Sequence, residues 1–269
     1  MQIWEVLLVS FGGTASALLT VAFLFKKLLG HWFNKNLEQY KLNIIQENSI
    51  ALENLKSDLA NQSKYEDRAL KLQEIMNNYK GPLIHSAYEL QSRIYNLVAN
   101  RIIKLYFVDQ RGDGSERDYI IKNTVFVIAQ YYAWTEIIRR EIQFIELDNP
   151  EATKEFSQIQ DSIYSIWHSE MFDDPLMIWA GEQRGIGEIM TETRNDKLSC
   201  VGYSKFLKML EENNEVLLNQ LEKKVRKYIE QGTFQTNRLV PVQNSLIDLL
   251  EFLDPNYIRF PEEQRTYIT

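Results

Sequence analysis

The sequence predicts an all-α protein: one transmembrane helix at the N-terminus, a long stalk or coiled-coil helix continuing from it, and a cytoplasmic helical bundle. Three observations lead there. Residues 6–25 carry no charge, residues 35–80 contain neither Gly nor Pro, and apolar residues beyond them recur at helical rather than alternating spacing. Six Pro and 11 Gly among 269 residues are also too few for the many tight turns of a sandwich or barrel.

The first element is residues 6–25, VLLVSFGGTASALLTVAFLF. As a helix this stretch covers about 30 Å, the thickness of a bilayer's hydrocarbon core. Trp4 and Trp32 flank it, where amphipathic rings favour the headgroup layer. A cleaved signal peptide would need a basic leader and a small-residue cleavage site, yet Glu5 precedes the stretch and Phe25-Lys26-Lys27 closes it. A buried core helix seldom runs this far without a charge. Lys26, Lys27, His31 and Lys35 place the C-terminal flank inside, so the expectation is a single-pass inner-membrane protein with its N-terminus outside and its large domain cytoplasmic. The lone cysteine, Cys200, excludes an intramolecular disulfide, suits a reducing compartment, and reads as a small buried hydrophobe.

Gly12, Ser16 and Thr20 fall at i, i+4, i+8 in that stretch, with Gly13 and Ala17 beside them. Such a stripe lets helix backbones approach closely, or gives a ring of helices a slightly polar lining; small residues are also simply common in spans. Leu37, Ile44, Ile45, Leu52, Leu55 and Leu59 follow near a seven-residue repeat, with Asn48 and Gln62 breaking the register. Glu38, Glu47, Glu53, Asp58, Lys41, Lys56 and Lys64 make the solvated face. Gly81-Pro82 is expected to stop this helix, which divides the chain into an anchor (1–31), a stalk (32–80) and a cytoplasmic domain (81–269).

Within the domain the pattern predicts a helix over 83–108 with two apolar faces, a solvated turn at 109–118, and a central core helix over 119–147. The turn superficially resembles a calcium loop, but Arg111 and Ile120 occupy positions that need oxygen ligands. Shorter helices are expected at 151–167 and 175–191, one charged amphipathic helix at 205–231 stopped by Gly232, and a last helix at 241–253. No strand alternation of useful length occurs, and no internal repeat.

Chemistry is sparse. Net charge is −7; residues 1–36 hold +2, which leaves −9 for the rest. An acidic body without a basic stripe discounts nucleic acid as a partner. No nucleophile elbow, phosphate loop, zinc-protease helix or kinase set is present, and Gly185-Ile186-Gly187 lacks the third glycine and preceding strand of a dinucleotide site. No histidine follows an arginine at the spacing of a helical ribonuclease site. His168, Glu170 and Asp174 have poor metal spacing, and Asp173 or Asp174 suits a cap ahead of Pro175. Neither metal nor cofactor is expected. Three polar clusters interrupt apolar helices: Glu89-Arg93-Asn96-Asn100, Arg139-Arg140-Glu141, and Gly181 to Gly185 with Glu188. If they face one another, Arg93, Arg139, Glu182, Gln183 and Arg184 form a pocket for an anion, with arginine forks reading carboxylate or phosphate. The simpler reading makes Glu89–Arg93 a surface pair and leaves the rest solvated.

YKGPLIHSAYELQSRIYNL (79–97), RREIQFIEL (139–147), IWAGEQRGIGEIM (178–190) and CVGYSKF (200–206) together resemble a family of uncharacterised bacterial membrane-anchored helical proteins. The likeness covers roughly residues 79–206. No activity is known for that family, so the resemblance implies no function; it centres attention on Glu182, Gln183 and Arg184. The expected function is a non-enzymatic, self-associating membrane protein, one version being a defence or stress effector that acts as an oligomer or pore. Its expected partners are membrane lipid, further copies of the chain and a cytoplasmic protein. The rival readings are a hydrolase or nucleotide- or anion-binding enzyme using the Arg/Glu pocket, and a passive scaffold for a soluble partner.

Overall fold

The computed structural model describes the backbone of residues 3–141, 150–231 and 238–268, and within them the side chains except at 3–22, 68–69, 71–77 and 150. The chain is mostly helical and divides into two units, Met1–Asp67 and Arg68–Thr269. Helix α1 (Ile3–Val98) belongs to both units. Among the described residues no helix is long and apolar enough to cross a membrane. The side chains of residues 6–22 lie outside the described residues, and with them Gly12, Gly13, Ser16, Ala17 and Thr20.

In the first unit, the Gly- and Pro-free run of Leu, Glu, Gln, Lys and Asn residues continues as helix without interruption. Every described side chain from residue 23 to 67 is exposed, including Leu37, Ile45, Leu52, Leu55 and Leu59. The seven-residue row of the sequence is therefore an uncovered apolar stripe.

The second unit corrects the expected helix stop: α1 runs through Pro82 to Val98. Proline inside a helix removes one hydrogen bond and crowds the preceding turn, costing about 3 kcal/mol. The turns after it more than offset that cost. Leu83, Ile84, Leu90, Ile94 and Leu97 are all nearly or fully buried, each worth about 1.5–3 kcal/mol on leaving water. The C-terminal segment ties the same turns down from outside. Phe260 stacks on Tyr88 at 3.7 Å, and Gln91 Nε2 donates to the Gln264 carbonyl at 3.1 Å. A Cβ on Gly81 would come within 2.9 Å of the Arg259 guanidinium, so glycine lets that segment lie close.

The predicted helix over 83–108 is thus shorter than expected. It ends before Arg101, whose φ of 56° is left-handed, and a π-helical turn (Lys104–Val108) follows. Helix α2 (Gly114–Glu141) starts inside the expected loop because Asp113 and Glu116 form a capping pair. Asp113 Oδ1 accepts from the Ser115 N–H at 2.6 Å, and Glu116 Oε2 accepts from the Asp113 N–H at 2.8 Å. The Ser115 hydroxyl contributes most to holding the Asp113 carboxyl down, to about 2.

α2 is the central helix and packs against α4 (Ala180–Ile189) and α6 (Val216–Glu230). Closeness to α4 depends on Gly187, since a Cβ there would meet the Tyr132 carbonyl oxygen at 2.6 Å. The second glycine of Gly185-Ile186-Gly187 is therefore a packing device. Helix α3 (Pro150–His168) lies against α7 (Leu239–Leu253).

A short antiparallel hairpin, β1 (Thr191–Arg194) and β2 (Lys197–Cys200), corrects the expectation of helix alone. Asn195 and Asp196 connect it at φ of 50° and 59°, the left-handed pair of a two-residue hairpin turn. The predicted helix over 205–231 is two, α5 (Tyr203–Glu212) and α6, parted at Asn213 with φ 53°. Asn tolerates that conformation, and the turn lets each amphipathic face reach the core.

Two buried arginines close the bundle. Arg238 donates to the carbonyls of Ile166 and Trp167 at 2.6 and 2.9 Å and to Ser169 at 2.9 Å, and pairs with Asp174 at 3.1 Å. It satisfies the end of α3, where acceptors lack intrahelical partners. Asp174 Oδ1 also accepts from the Leu176 N–H at 2.8 Å, but this is a turn and caps no helix: the helix expected at 175–191 starts only at Ala180, behind Trp179. Arg265 repeats the device at the end of α7, donating to the Leu250, Asp254 and Phe260 carbonyls and pairing with the Asp254 carboxylate.

Candidate ligand-binding site

A cavity of about 340 Å³ opens where the C-terminal half of α2 meets α3 and α4, within the size range of small-molecule sites. α2 supplies Tyr131, Tyr132, Thr135, Glu136 and Arg139, which share one side at i, i+4 and i+8 spacing. α3 supplies Phe156, Gln160, Asp161 and Tyr164 by the same periodicity, and α4 adds Gln183 and Arg184. Aromatic rings thus make the walls and charged groups the rim.

Three of the five residues expected to converge are among the lining: Arg139, Gln183 and Arg184. Arg93 is not. Its guanidinium lies 6.0 Å from the Tyr119 ring centre, and burial lowers its pKa from the ordinary value while Tyr119 partly restores it. The expected Glu89–Arg93 pair is absent too: Glu89 sits 3.5 Å from His85 Nε2. Glu182 is also drawn elsewhere, because at the third position of α4 its Oε2 accepts from the Trp179 N–H at 2.8 Å and from Lys224 Nζ at 2.6 Å. A helix-capping carboxylate held by a lysine has little left to offer a ligand.

Gln183 holds its wall in place, donating through Nε2 to the Tyr164 carbonyl at 3.1 Å and the Ile178 carbonyl at 3.0 Å. Arg139 is tied to Glu136 through both Nε and Nη2 at 2.7 Å, and Arg140 Nε reaches the same carboxylate at 2.7 Å. Burial pushes the Glu136 carboxyl up, but the hydrogen bonds and charges of Arg139 and Arg140 outweigh it and hold it below the usual range. The fixed Glu136 orients Arg139 and leaves its Nη1 uncommitted among the described residues. Arg184 makes no hydrogen bond or ion pair among the described residues and is exposed.

Tyr132 lines the cavity, and its hydroxyl is buried without a hydrogen-bond partner among the described residues. Desolvation drives its pKa well above the ordinary value, so it stays a neutral donor. Tyr131 is buried as deeply and has a long bond to Gln160 Oε1 at 3.4 Å. This arrangement can hold and orient a molecule with an apolar body and an acceptor or anionic end.

Elsewhere, His168 Nδ1 meets the Tyr164 carbonyl at 2.8 Å, and among the described residues no three His, Cys, Asp or Glu side chains are grouped to hold a metal. Burial, aided by Glu192 and Glu89, pushes the half-buried Cys200 thiol up to about 12, which leaves it unreactive at neutral pH. No protein-family model matches the chain, and no curated protein or solved structure shows significant similarity to it.

The aromatic walls escaped the sequence reading. Tyr131 and Tyr132 sit in the most apolar stretch of α2, where rings lining a cavity and rings filling a core have the same pattern. The periodic row Phe156, Gln160, Tyr164 was the one available signal, since it places a polar amide between two aromatics on one helix face.

Proposed function

We propose that this protein is a membrane-anchored, self-associating helical protein. In this reading residues 6–25 span the inner membrane, residues 32–67 join copies of the chain, and residues 68–269 form a cytoplasmic binding module that relays its occupancy to the membrane. The carrying observation is the uncovered stripe of Leu37, Ile44, Ile45, Leu52, Leu55 and Leu59, directly after an uncharged stretch long enough to cross a bilayer. Apolar residues repeating near seven along an exposed helix are what a coiled coil requires on each strand.

One concrete form is a bacterial defence or stress effector whose assembled spans perturb the membrane. The small-residue stripe Gly12-Ser16-Thr20 supports it, because close backbone approach assembles spans. Membrane fractionation and protease protection of both termini test the topology. Native mass spectrometry of the detergent-extracted chain tests assembly. The expected result is an integral membrane protein in oligomers, with Gly12→Leu plus Ser16→Leu lowering the subunit number. Extraction by alkaline carbonate, or a strictly monomeric wild type, overturns the proposal.

A second reading, an anion-binding enzyme, draws on the shared cavity of Arg139, Gln183 and Arg184. A passive scaffold would need no such cavity, which favours a module that binds a small ligand.

A further inference from the structure

The α2–α3–α4 cavity combines three features. Its walls are aromatic, with Tyr131, Tyr132, Phe156 and Tyr164 contributing rings from two helices. Its rim carries Arg184, which is uncommitted among the described residues, and Arg139, whose orientation Glu136 fixes. Tyr132, only 3% exposed, brings a buried hydroxyl with no partner among the described residues. A buried unpaired hydroxyl is costly, at about 1–3 kcal/mol, and one on a cavity-lining tyrosine would be relieved by a ligand acceptor that reaches it.

We propose that this cavity binds a small organic anion with a flat aromatic body. The ring lies among the tyrosines and Phe156, the carboxylate or phosphate head meets Arg184 and the free side of Arg139, and the Tyr132 hydroxyl donates to an acceptor on the ligand. An aliphatic body would fit the volume but would not use the ring faces, which prefer offset or edge contact with another ring. The site offers a cation little: the Glu136 carboxylate is held by both Arg139 and Arg140, and Arg184 is the lining arginine with no carboxylate partner among the described residues. Asp161 is the one rim carboxylate without such a partner among the described residues, and it favours ligands with a single compact anionic head over those with charge spread along the molecule. This inference rests on residues 68–269 being a binding module and is independent of the membrane anchor.

The test is isothermal titration of the purified full chain, in the same detergent buffer for every compound, with 2-naphthoate and 2-naphthyl phosphate, alongside inorganic phosphate and the neutral 2-naphthalenemethanol. Saturable one-to-one binding of at least one naphthyl anion is expected, about tenfold weaker for Arg184→Ala and for the neutral compound. Tyr132→Phe should weaken binding by a few fold with the melting temperature unchanged or raised, as expected on removing an unpaired hydroxyl. Arg184 has no described partner to lose, so that variant folds, and an unchanged circular dichroism spectrum checks this. Inorganic phosphate binding as tightly as naphthyl phosphate overturns the aromatic class and leaves an anion site. The neutral compound binding as tightly as the anions, or equal affinity in Arg184→Ala, overturns the anion site as well. Absence of saturable binding by both naphthyl anions overturns the proposal.

Discussion

Helix α1 carries the same kind of apolar repeat in both units of the chain, and the two stretches end in opposite environments. In the first unit Leu52, Leu55 and Leu59 are more than half exposed; in the second, Leu83, Leu90 and Leu97 are 1% exposed. Helix propensity is not what separates them, since the second stretch even contains Pro82. What separates them is the rest of the fold. The second stretch meets α2, α7 and the C-terminal segment, whereas the first unit is, among the described residues, a single helix with no other element of its own to pack against. Nothing described within the first unit covers its apolar row.

The strongest way to break this contrast is to attack what closes the second unit. Arg238→Ala removes three carbonyl contacts at the end of α3 and leaves Asp174, itself 4% exposed, as an unpaired buried charge. Removing one partner of a buried ion pair costs about 3–5 kcal/mol, a large part of the stability of an average domain. Urea unfolding of the variant, followed by tryptophan fluorescence, should show the midpoint falling sharply or the domain unfolded. A loss below about 1 kcal/mol would mean that the pair is loosely held.

Gly187→Ala probes a smaller effect at the α2–α4 contact. The added methyl group meets backbone, the Tyr132 carbonyl oxygen at 2.6 Å, so neither partner can swing aside. Overpacking of this kind costs about 1–3 kcal/mol. Because Tyr132 and Gln183 both line the cavity, the variant should also weaken ligand binding there. Gly181→Ala, in the same helix with open space around its Cβ position, is the matched control and should leave binding unchanged and stability unchanged or raised by up to about 1 kcal/mol.

Such contacts also mark where the sequence was legible. The bounds of α3 and α7 were readable to within two residues and the existence of α2 and α4 was readable with starts about five residues out, because a buried stripe recurs every three or four positions whatever it packs against. The breaks were not. Pro82 reads as a stop until the Phe260–Tyr88 stack and Arg259 are placed beside it, and those residues lie at the far end of the sequence. Asn213 splits one amphipathic pattern into two helices through a single left-handed residue. The hairpin strands are four residues each, too short for alternation to register. In the candidate site, Arg139, Gln183 and Arg184 stood out as polar groups in apolar helices. Arg93 and Glu182 stood out equally, and only the structure shows their other partners, Tyr119, the Trp179 N–H and Lys224.

The last and smallest effect on stability is expected at the other end of the contrast. Leu52→Ser combined with Leu59→Ser changes two exposed positions in the first unit, one heptad apart. Exposed substitutions away from caps and ion pairs usually change stability by less than about 0.5 kcal/mol, so the second unit should unfold at the same urea concentration as the wild type. Assembly should respond in the opposite way. If the stripe is covered by further copies of the chain, each serine replaces a contact made in every subunit, and the loss multiplies with subunit number. Sedimentation velocity of the detergent-extracted variant should then show smaller particles beside an unchanged unfolding curve. Arg238→Ala should do the reverse, lowering stability while the stripe is left intact. If both variants lower stability alike, the first unit is covered by the chain's own fold and the contrast between the two stretches of α1 disappears. If neither serine changes particle size, self-association belongs to residues 6–25 alone, and Gly12-Ser16-Thr20 becomes the surface to test.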